Sequence, residues 1–314
     1  MKLSLVIPCY NEEANIQPMY DLCCDVLSEA IPSFEMIFVN DGSTDGTWTA
    51  LKALYEQDRR RVRLVDLSRN FGKEAAMYAG LQRATGDYVT IIDGDRQQHP
   101  SVVLQMVRFL EANPDYDCVA AYQDNRKEGA FTRLCKKGFY KLINAACETT
   151  FRADASDFRT FRQGMVQSIL SMKEYHRFSK GLFSYVGYQV HYLPYTVQER
   201  VAGKTSWSFR KLCKYALEGI ASFTTFPLKI ATVVGSIMSL LSLLYMIVVV
   251  IQKLFFGIAI SGYATIVVLI LLIGGLQMIM LGIIGSYVAR IYIQGKHRPV
   301  YIAREYLSGD PEEE

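Results

Sequence analysis

The chain has 314 residues, 50% of them hydrophobic and 21% charged, with a mean hydropathy of +0.10. The apolar content and 12% aromatics exclude disorder, no repeat period is evident, and a net charge of +3 is too small to imply a nucleic-acid partner. Seven cysteines, an odd number with no C-x-x-C spacing, argue against a disulfide framework or a zinc site and for small buried thiols in a reducing compartment.

Leu3–Ile7 is an apolar run ending at Pro8, expected as a buried strand; it is too short for a signal h-region, so the N-terminal domain is expected in the cytosol. A helical pattern runs from about Glu12 to Ala30. Phe34–Asn40 is a second strand, Thr44–Gln57 a helix, Val62–Leu67 a third strand and Lys73–Ala84 a helix. Tyr88–Ile92 is a fourth strand, Pro100–Ala112 a helix and Cys118–Tyr122 a fifth strand. Strands alternating with helices predict βαβ units and a mainly parallel sheet covered on both faces. Ligands of such sheets sit outside the carboxyl ends of the strands. Polar clusters fall there: Tyr10 to Glu12, Asp41, Asn70 to Lys73, and Asp93 to Gln97.

A basic stretch follows, Arg126 to Lys141, interleaved with Leu134, Phe139, Leu142 and Ile143; an amphipathic helix is expected over about 130–150. Ser208–Phe226 repeats the pattern, with Arg210, Lys211 and Lys214 beside Phe209, Leu212 and Leu217. Such helices suit an anionic membrane surface. From Ile230 to Ala289 the only charge is Lys253. Ile230–Ile251 and Ala264–Ala289 are each long enough to cross a hydrocarbon core of about 30 Å. Arg210, Lys211, Lys214 and Lys229 precede them, and Arg290, Lys296, Arg298 and Arg304 follow. The positive-inside rule then places both ends in the cytosol. The expected domains are 1–207 catalytic, 208–227 interfacial, 228–290 a transmembrane pair, and 291–314 a cytosolic tail frayed at its acidic end.

The first strand-to-helix turn, Pro8-Cys9-Tyr10-Asn11-Glu12-Glu13, has no glycines. A pyrophosphate loop needs them, so this turn is expected to repel phosphate. It offers instead Tyr10 as a stacking face, with Glu12 or Asp41 as acceptors for a base or ribose. Gly203-Lys204-Thr205 is a decoy, because a Walker A loop requires glycine where Gln198 stands. Asp93-Gly94-Asp95-Arg96-Gln97 puts two carboxylates and an amide oxygen at a strand end, a donor set suited to Mg²⁺ with substrate phosphates.

In order along the chain, Val6 to Glu13, Val39 to Thr47, Ser68 to Lys73, Gly86 to Gln97, Asp157-Phe158-Arg159, Arg200 to Ser206 and Arg298 to Tyr301 resemble the family 2 glycosyltransferases acting on polyprenyl phosphates. The resemblance implies a Rossmann-like GT-A catalytic domain, amphipathic interfacial helices and a two-helix transmembrane hairpin. It implies that Pro8, Tyr10, Glu12, Asp41, Lys73 and Asp93 bind the nucleotide and that Asp95 and Gln97 hold Mg²⁺ or Mn²⁺. Arg126, Arg133 and Lys137 are implied at the acceptor phosphate, and Arg200 over the diphosphate. Implied partners are a UDP-sugar, a polyprenyl phosphate lipid, the cell membrane, a second copy of the chain and a small flippase for the product. Two departures stand out. Arg96 replaces a leucine and Gln98-His99 an aspartate before Pro100, and Cys135-Lys136-Lys137 replaces a serine after the acceptor arginine. A transferase with another lipid or glycan acceptor, and a non-catalytic membrane-anchored sugar-nucleotide sensor, are the alternatives.

Overall fold

The computed structural model describes residues 1–123, 155–196, 226–256 and 262–309. The chain divides into two units, Met1–Phe209 with Arg298–Glu314, and Arg210–His297.

The first unit is built on one eight-stranded sheet. Its strands are β1 (Leu3–Cys9), β2 (Phe34–Asn40), β3 (Val62–Leu67), β4 (Tyr88–Ile91), β5 (Cys118–Gln123), β6 (Ala155–Arg162), β7 (Val190–Tyr195) and β8 (Ala303–Leu307). They lie in the order β7-β5-β6-β4-β1-β2-β3-β8. The β1/β2, β1/β4, β2/β3 and β5/β7 pairs are parallel, while β6 runs against β4 and β5, and β8 against β3. The sheet is therefore mainly parallel, as expected.

Period-two alternation sorts the strand side chains into two layers. Leu5, Ile7, Met36 and Phe38 pack with helices α1 (Ile16–Leu27), α2 (Thr47–Gln57) and α4 (Pro100–Ala112). Val6, Ile37, Val39 and Val65 pack on the other face with α3 (Lys73–Arg83) and α5 (Gln163–Ser171). Both faces are covered, which is why these strands read as continuous apolar runs. A Cβ on Gly80 of α3 would lie 2.3 Å from Val6 Cγ1, so glycine is what lets this helix approach β1. A further short helix, α6 (Ser179–Tyr185), buries Leu182 and Phe183.

Several boundaries differ from expectation. The first helix begins at Ile16 after a single 3₁₀ turn, Glu13–Asn15. Pro18, with no N–H to donate, then falls in the first helical turn, where none is needed. The second begins at Thr47, where the Asp45 carboxylate accepts from the Thr47 amide (3.0 Å). Strands β6, β7 and β8 were not anticipated. Arg159 and Asp157 interrupt the apolar pattern of β6. Strands β7 and β8 are sheet edges, only partly buried, and β7 contains Pro194, which an edge tolerates. Strand β8 lies within the segment expected as a cytosolic tail; it is an integral strand of the first unit.

The second unit contains α7 (Phe226–Phe256) and α8 (Tyr263–Gly295). Within them, Ile230–Val249 and Val268–Gly295 are long and apolar enough to cross a membrane. Leu240, Leu241, Leu244, Ile270, Leu272 and Ile279 are exposed, so the apolar surface is not buried in a protein core. Helix α7 begins at Phe226, inside the segment expected to be interfacial. The rest of that segment, and the basic helix expected over 130–150, lie outside the described residues.

Candidate active site

From β1 the chain steps outward to β2 and β3, then returns to lay β4 on the opposite flank of β1. Such a reversal opens a crevice at the carboxyl ends of the two central strands. Tyr10 to Glu12, after β1, and Asp93 to Gln97, after β4, border this crevice. Asp41 follows β2, and Ser68 to Gly72 follow β3.

The β1 side is a set of interlocked turns. Asn11 adopts a left-handed backbone (φ 56°), a conformation asparagine tolerates. Its amide donates to Ser43 Oγ (3.0 Å), and its Oδ1 accepts from the Thr44 amide (2.9 Å). The Glu12 amide donates to Thr47 Oγ1 (2.9 Å), and Glu12 Oε2 accepts from Asn15 Nδ2. Tyr10 remains 47% exposed, leaving its ring free as a stacking face.

Asp41 is buried and accepts from the Phe71 amide at Oδ1 (2.7 Å) and the Gly72 amide at Oδ2 (3.0 Å). Burial raises its pKa, opposed by those two amides and by Arg69. In this structure Asp41 is thus the staple between the turns after β2 and β3. Gly42 lets them meet: its φ is +61°, and a Cβ there would lie 2.3 Å from the backbone carbon of Arg69.

Beyond β4, Asp93 is held from two sides. Lys73 Nζ lies 2.6 Å from its Oδ1, while Gln98 Nε2 donates to Oδ2 (2.9 Å) and Gln98 Oε1 accepts from the Asp93 amide (2.9 Å). Asp95 Oδ1 accepts from the Gln97 amide (3.1 Å) across Arg96, whose left-handed backbone (φ 59°) closes the turn. Gln98 and His99, two of the residues that depart from the family pattern, have definite places. Buried Gln98 clasps Asp93, and His99 caps α4, its Nδ1 accepting from the Ser101 amide (3.2 Å) ahead of Pro100.

Three further side chains, given no role in the sequence, meet this cluster. Strand β6 brings Asp157 Oδ2 to 3.4 Å from Lys73 Nζ, so the lysine bridges Asp93 and Asp157. Burial opposes charge on both partners. The two aspartates nonetheless hold the lysine pKa above its usual range, and Lys73, Lys180 and Arg159 hold the Asp157 carboxyl below its own. Next to the lysine, Glu74 accepts from the Ser179 amide (2.9 Å) and hydroxyl. Burial and the charge of Asp157 push its pKa up to about 7. At the end of β7, burial raises the Tyr195 pKa, and the charges of Asp93 and Asp95 add to this. The one available signal was the Asp157-Phe158-Arg159 motif; Glu74 and Tyr195 reach the site only through tertiary packing.

The crevice is rich in hard oxygen donors. Among the described residues no three His, Cys, Asp or Glu side chains converge on a metal position. Asp95 and Gln97, with Asp93 nearby, match a divalent ion that takes its remaining ligands from phosphate and water. Cys9 is no nucleophile, because burial and the charges of Glu12 and Asp93 hold its thiol protonated. Cys23 and Cys118 are likewise buried, each thiol pushed up to about 12. Arg126, Arg133, Lys137 and Arg200, expected around the acceptor and the diphosphate, lie outside the described residues.

The site is thus framed by a covered α/β sheet with an acidic turn at its reversal point, in place of a glycine phosphate loop. Residues 4–170 match the model of glycosyl transferase family 2. The chain is 39% identical to the uncharacterized glycosyltransferase sll0501 of Synechocystis, over 97% of this chain and 95% of that protein. It is 38% identical to the bactoprenol glucosyl transferase of Shigella phage SfV, over 97% and 98%. Among solved structures, the Pyrobaculum calidifontis mannosyltransferase PcManGT, in complex with GDP-Man and Mn²⁺, is 19% identical with a TM-score of 0.49, covering 70% of this chain and 63% of that one. The chain belongs to glycosyl transferase family 2 and is an enzyme of that class.

Proposed function

We propose that the protein transfers a hexose, glucose or N-acetylglucosamine, from a UDP-sugar to undecaprenyl phosphate, with inversion at the anomeric carbon. The observation that carries this reading is the Asp93–Gln97 turn at the β1/β4 crevice of a chain whose second unit contains two exposed apolar helices. A relative named as a bactoprenol glucosyl transferase, matched over nearly its full length, supports the lipid acceptor and favours glucose.

A phosphate monoester has a second pKa near 6 and is already anionic at neutral pH, so its attack on the sugar needs no general base. Bringing a dianion to a diphosphate is instead an electrostatic problem. The chemistry that Mg²⁺ or Mn²⁺ supplies when held by Asp95 and Gln97 is charge stabilisation of the leaving diphosphate. Arg200 and Lys204 add positive charge there, and Arg126, Arg133 and Lys137 hold the acceptor phosphate. Tyr10, Glu12 and Asp41 line the nucleoside side, with Lys73 fixing Asp93.

In the membrane, α7 and α8 form a hairpin with the catalytic unit and both termini in the cytosol. Strand β8 supports this topology, because the chain after α8 returns to the same sheet that it left before α7.

The test is a panel of labelled UDP-sugars with undecaprenyl phosphate and full-length protein in membranes. A chloroform-soluble, mild-acid-labile product is expected; polymer, or binding without turnover, overturns the proposal. Asp95→Ala is expected to reduce transfer by about 100-fold or more, as loss of a transition-state electrostatic partner does, and chelation to abolish it. Arg133→Ala is expected to raise the acceptor KM.

A further inference from the structure

Strand β8 is joined to β3 through an irregular register. Leu64 pairs with Leu307, Val65 with Tyr306 and Asp66 with Glu305, but Leu67 pairs with Ala303. Arg304 is therefore the extra residue of a bulge. Bulges re-aim side chains, and here the guanidinium is turned onto the carboxyl end of β3. Arg304 Nη1 lies 3.5 Å from Asp66 Oδ2, and Nη2 donates to the Ser68 carbonyl (3.0 Å). The Ser68 amide in turn donates to the Ile302 carbonyl (2.9 Å).

Asp66 is 1% exposed, whereas Arg304 is largely in solvent. An exposed ion pair is ordinarily worth little. This one differs because its carboxylate is buried. Among the described residues Asp66 Oδ2 accepts no hydrogen bond and Arg304 is the cation that faces it, so losing Arg304 leaves a buried charge without this counterion. Asp66 Oδ1 accepts from Asn40 Nδ2 (2.7 Å), and Asn40 Oδ1 accepts from the Ser43 amide (3.2 Å). Ser43 Oγ accepts from Asn11, between Tyr10 and Glu12. A second path starts at Ser68, where the turn begins whose Phe71 and Gly72 amides grip Asp41. Both paths start at one guanidinium and end on the two turns of the nucleoside side.

We infer that Arg304, carried by the strand that follows the apolar helices, is a positioning residue for nucleotide binding. It acts through Asp66–Asn40–Ser43 and through Ser68, and touches no substrate. The inference rests on the reading of this crevice as a UDP site. Its predicted signature is weaker donor binding with little change in turnover, since the turn carrying Asp93 and Asp95 follows a different strand.

The experiment uses the full-length protein and measures UDP affinity with Mn²⁺, donor KM, kcat and thermal midpoint. Arg304→Ala is expected to raise the UDP Kd and donor KM about fivefold, within the usual range of coupling through a polar network, leaving kcat within about twofold. Arg304→Ala with Asp66→Asn removes the orphaned charge while keeping an acceptor for Asn40, and is expected to recover most of the affinity. Lys52→Ala cuts the Lys52–Glu305 pair (2.9 Å) on the same strand but outside this network, and is expected to leave Kd unchanged. Unchanged affinity in Arg304→Ala, no recovery in the double variant, or an equal loss in Lys52→Ala overturns the inference. If Arg304→Ala does not fold, Arg304→Lys decides: it keeps the charge without the two-armed reach, so weakened binding supports the inference and wild-type affinity overturns it. Failure of the wild-type protein to bind UDP overturns the donor reading instead.

Discussion

Glu35, at the amino end of the parallel strands, and Glu74, at the carboxyl end, are both carboxylates withdrawn from water, and they titrate in opposite directions. Burial raises the pKa of each. Around Glu35 it is overcome: Ser4 Oγ, the Thr85 amide and hydroxyl, and Arg63 Nε at 2.7 Å hold the carboxyl below its usual value, and Lys2 Nζ lies 3.3 Å away. Around Glu74 the Ser179 contacts and Lys73 are outweighed, because Asp157 adds a second negative charge. One end of the sheet thus compensates its buried charge and the other concentrates it. Of these two carboxylates, Glu74 is the one whose charge changes near neutral pH, a character common at functional sites.

The largest loss is expected at the amino end. Among the described residues Arg63→Leu leaves Lys2 as the cation opposite buried Glu35, and the expected loss is about 3 kcal/mol, the lower end for a broken buried pair. Denaturant unfolding of the detergent-solubilised protein measures it. The pH dependence has a definite sign. Glu35 has a lowered folded pKa, so its contribution is present above its ordinary 4.5 and is lost as pH falls through the lower folded value. Arg63→Leu is expected to flatten that acid limb.

Gly42→Ala tests the site end. The left-handed backbone and the contact with Arg69 together imply a loss of about 2–3 kcal/mol, with UDP binding weakened as the turns after β2 and β3 separate. A thermal melt with a parallel UDP titration reads both.

Glu74→Gln is expected to stabilise. The folded pKa of Glu74 is about 7 against an ordinary 4.5, so its penalty is absent below 4.5, grows as pH rises to about 7, and is constant above. The amide keeps an acceptor for Ser179 without the charge. The gain in unfolding free energy should be about 2–3 kcal/mol at pH 8, slightly below the full worth of that rise because the amide is a weaker acceptor, and vanish near pH 4. A gain independent of pH would show that charge is not the cause. The smallest effect belongs to Lys52→Ala, whose exposed pair with Glu305 is worth less than about 0.5 kcal/mol in thermal unfolding.

The first five strands and the four helices alternating with them were legible because each sheet face is buried and each helix has one apolar face, patterns that survive in a single sequence. The motif residues Tyr10, Glu12, Asp41, Asp93 and Asp95 were legible because strand ends in such sheets are where polar clusters collect. Their partners were not. Nothing local joins Lys73 to Asp157, 84 positions apart, or Glu74 to Ser179, 105 apart. Gln98 and His99 were readable only as departures from a pattern, until their hydrogen bonds made one a clasp and the other a helix cap.

A parallel α/β core, acidic turns at its strand ends and two apolar helices are already written in the sequence. These follow from local periodicity and composition, which depend on near neighbours. Only the tertiary structure decided that the chain returns after those helices as an edge strand, that a bulge turns Arg304 onto Asp66, and which buried carboxylates receive a counterion. Those outcomes depend on which distant segments meet in a low-dielectric interior, where the placement of one guanidinium decides whether a charge is held or left exposed to its neighbours.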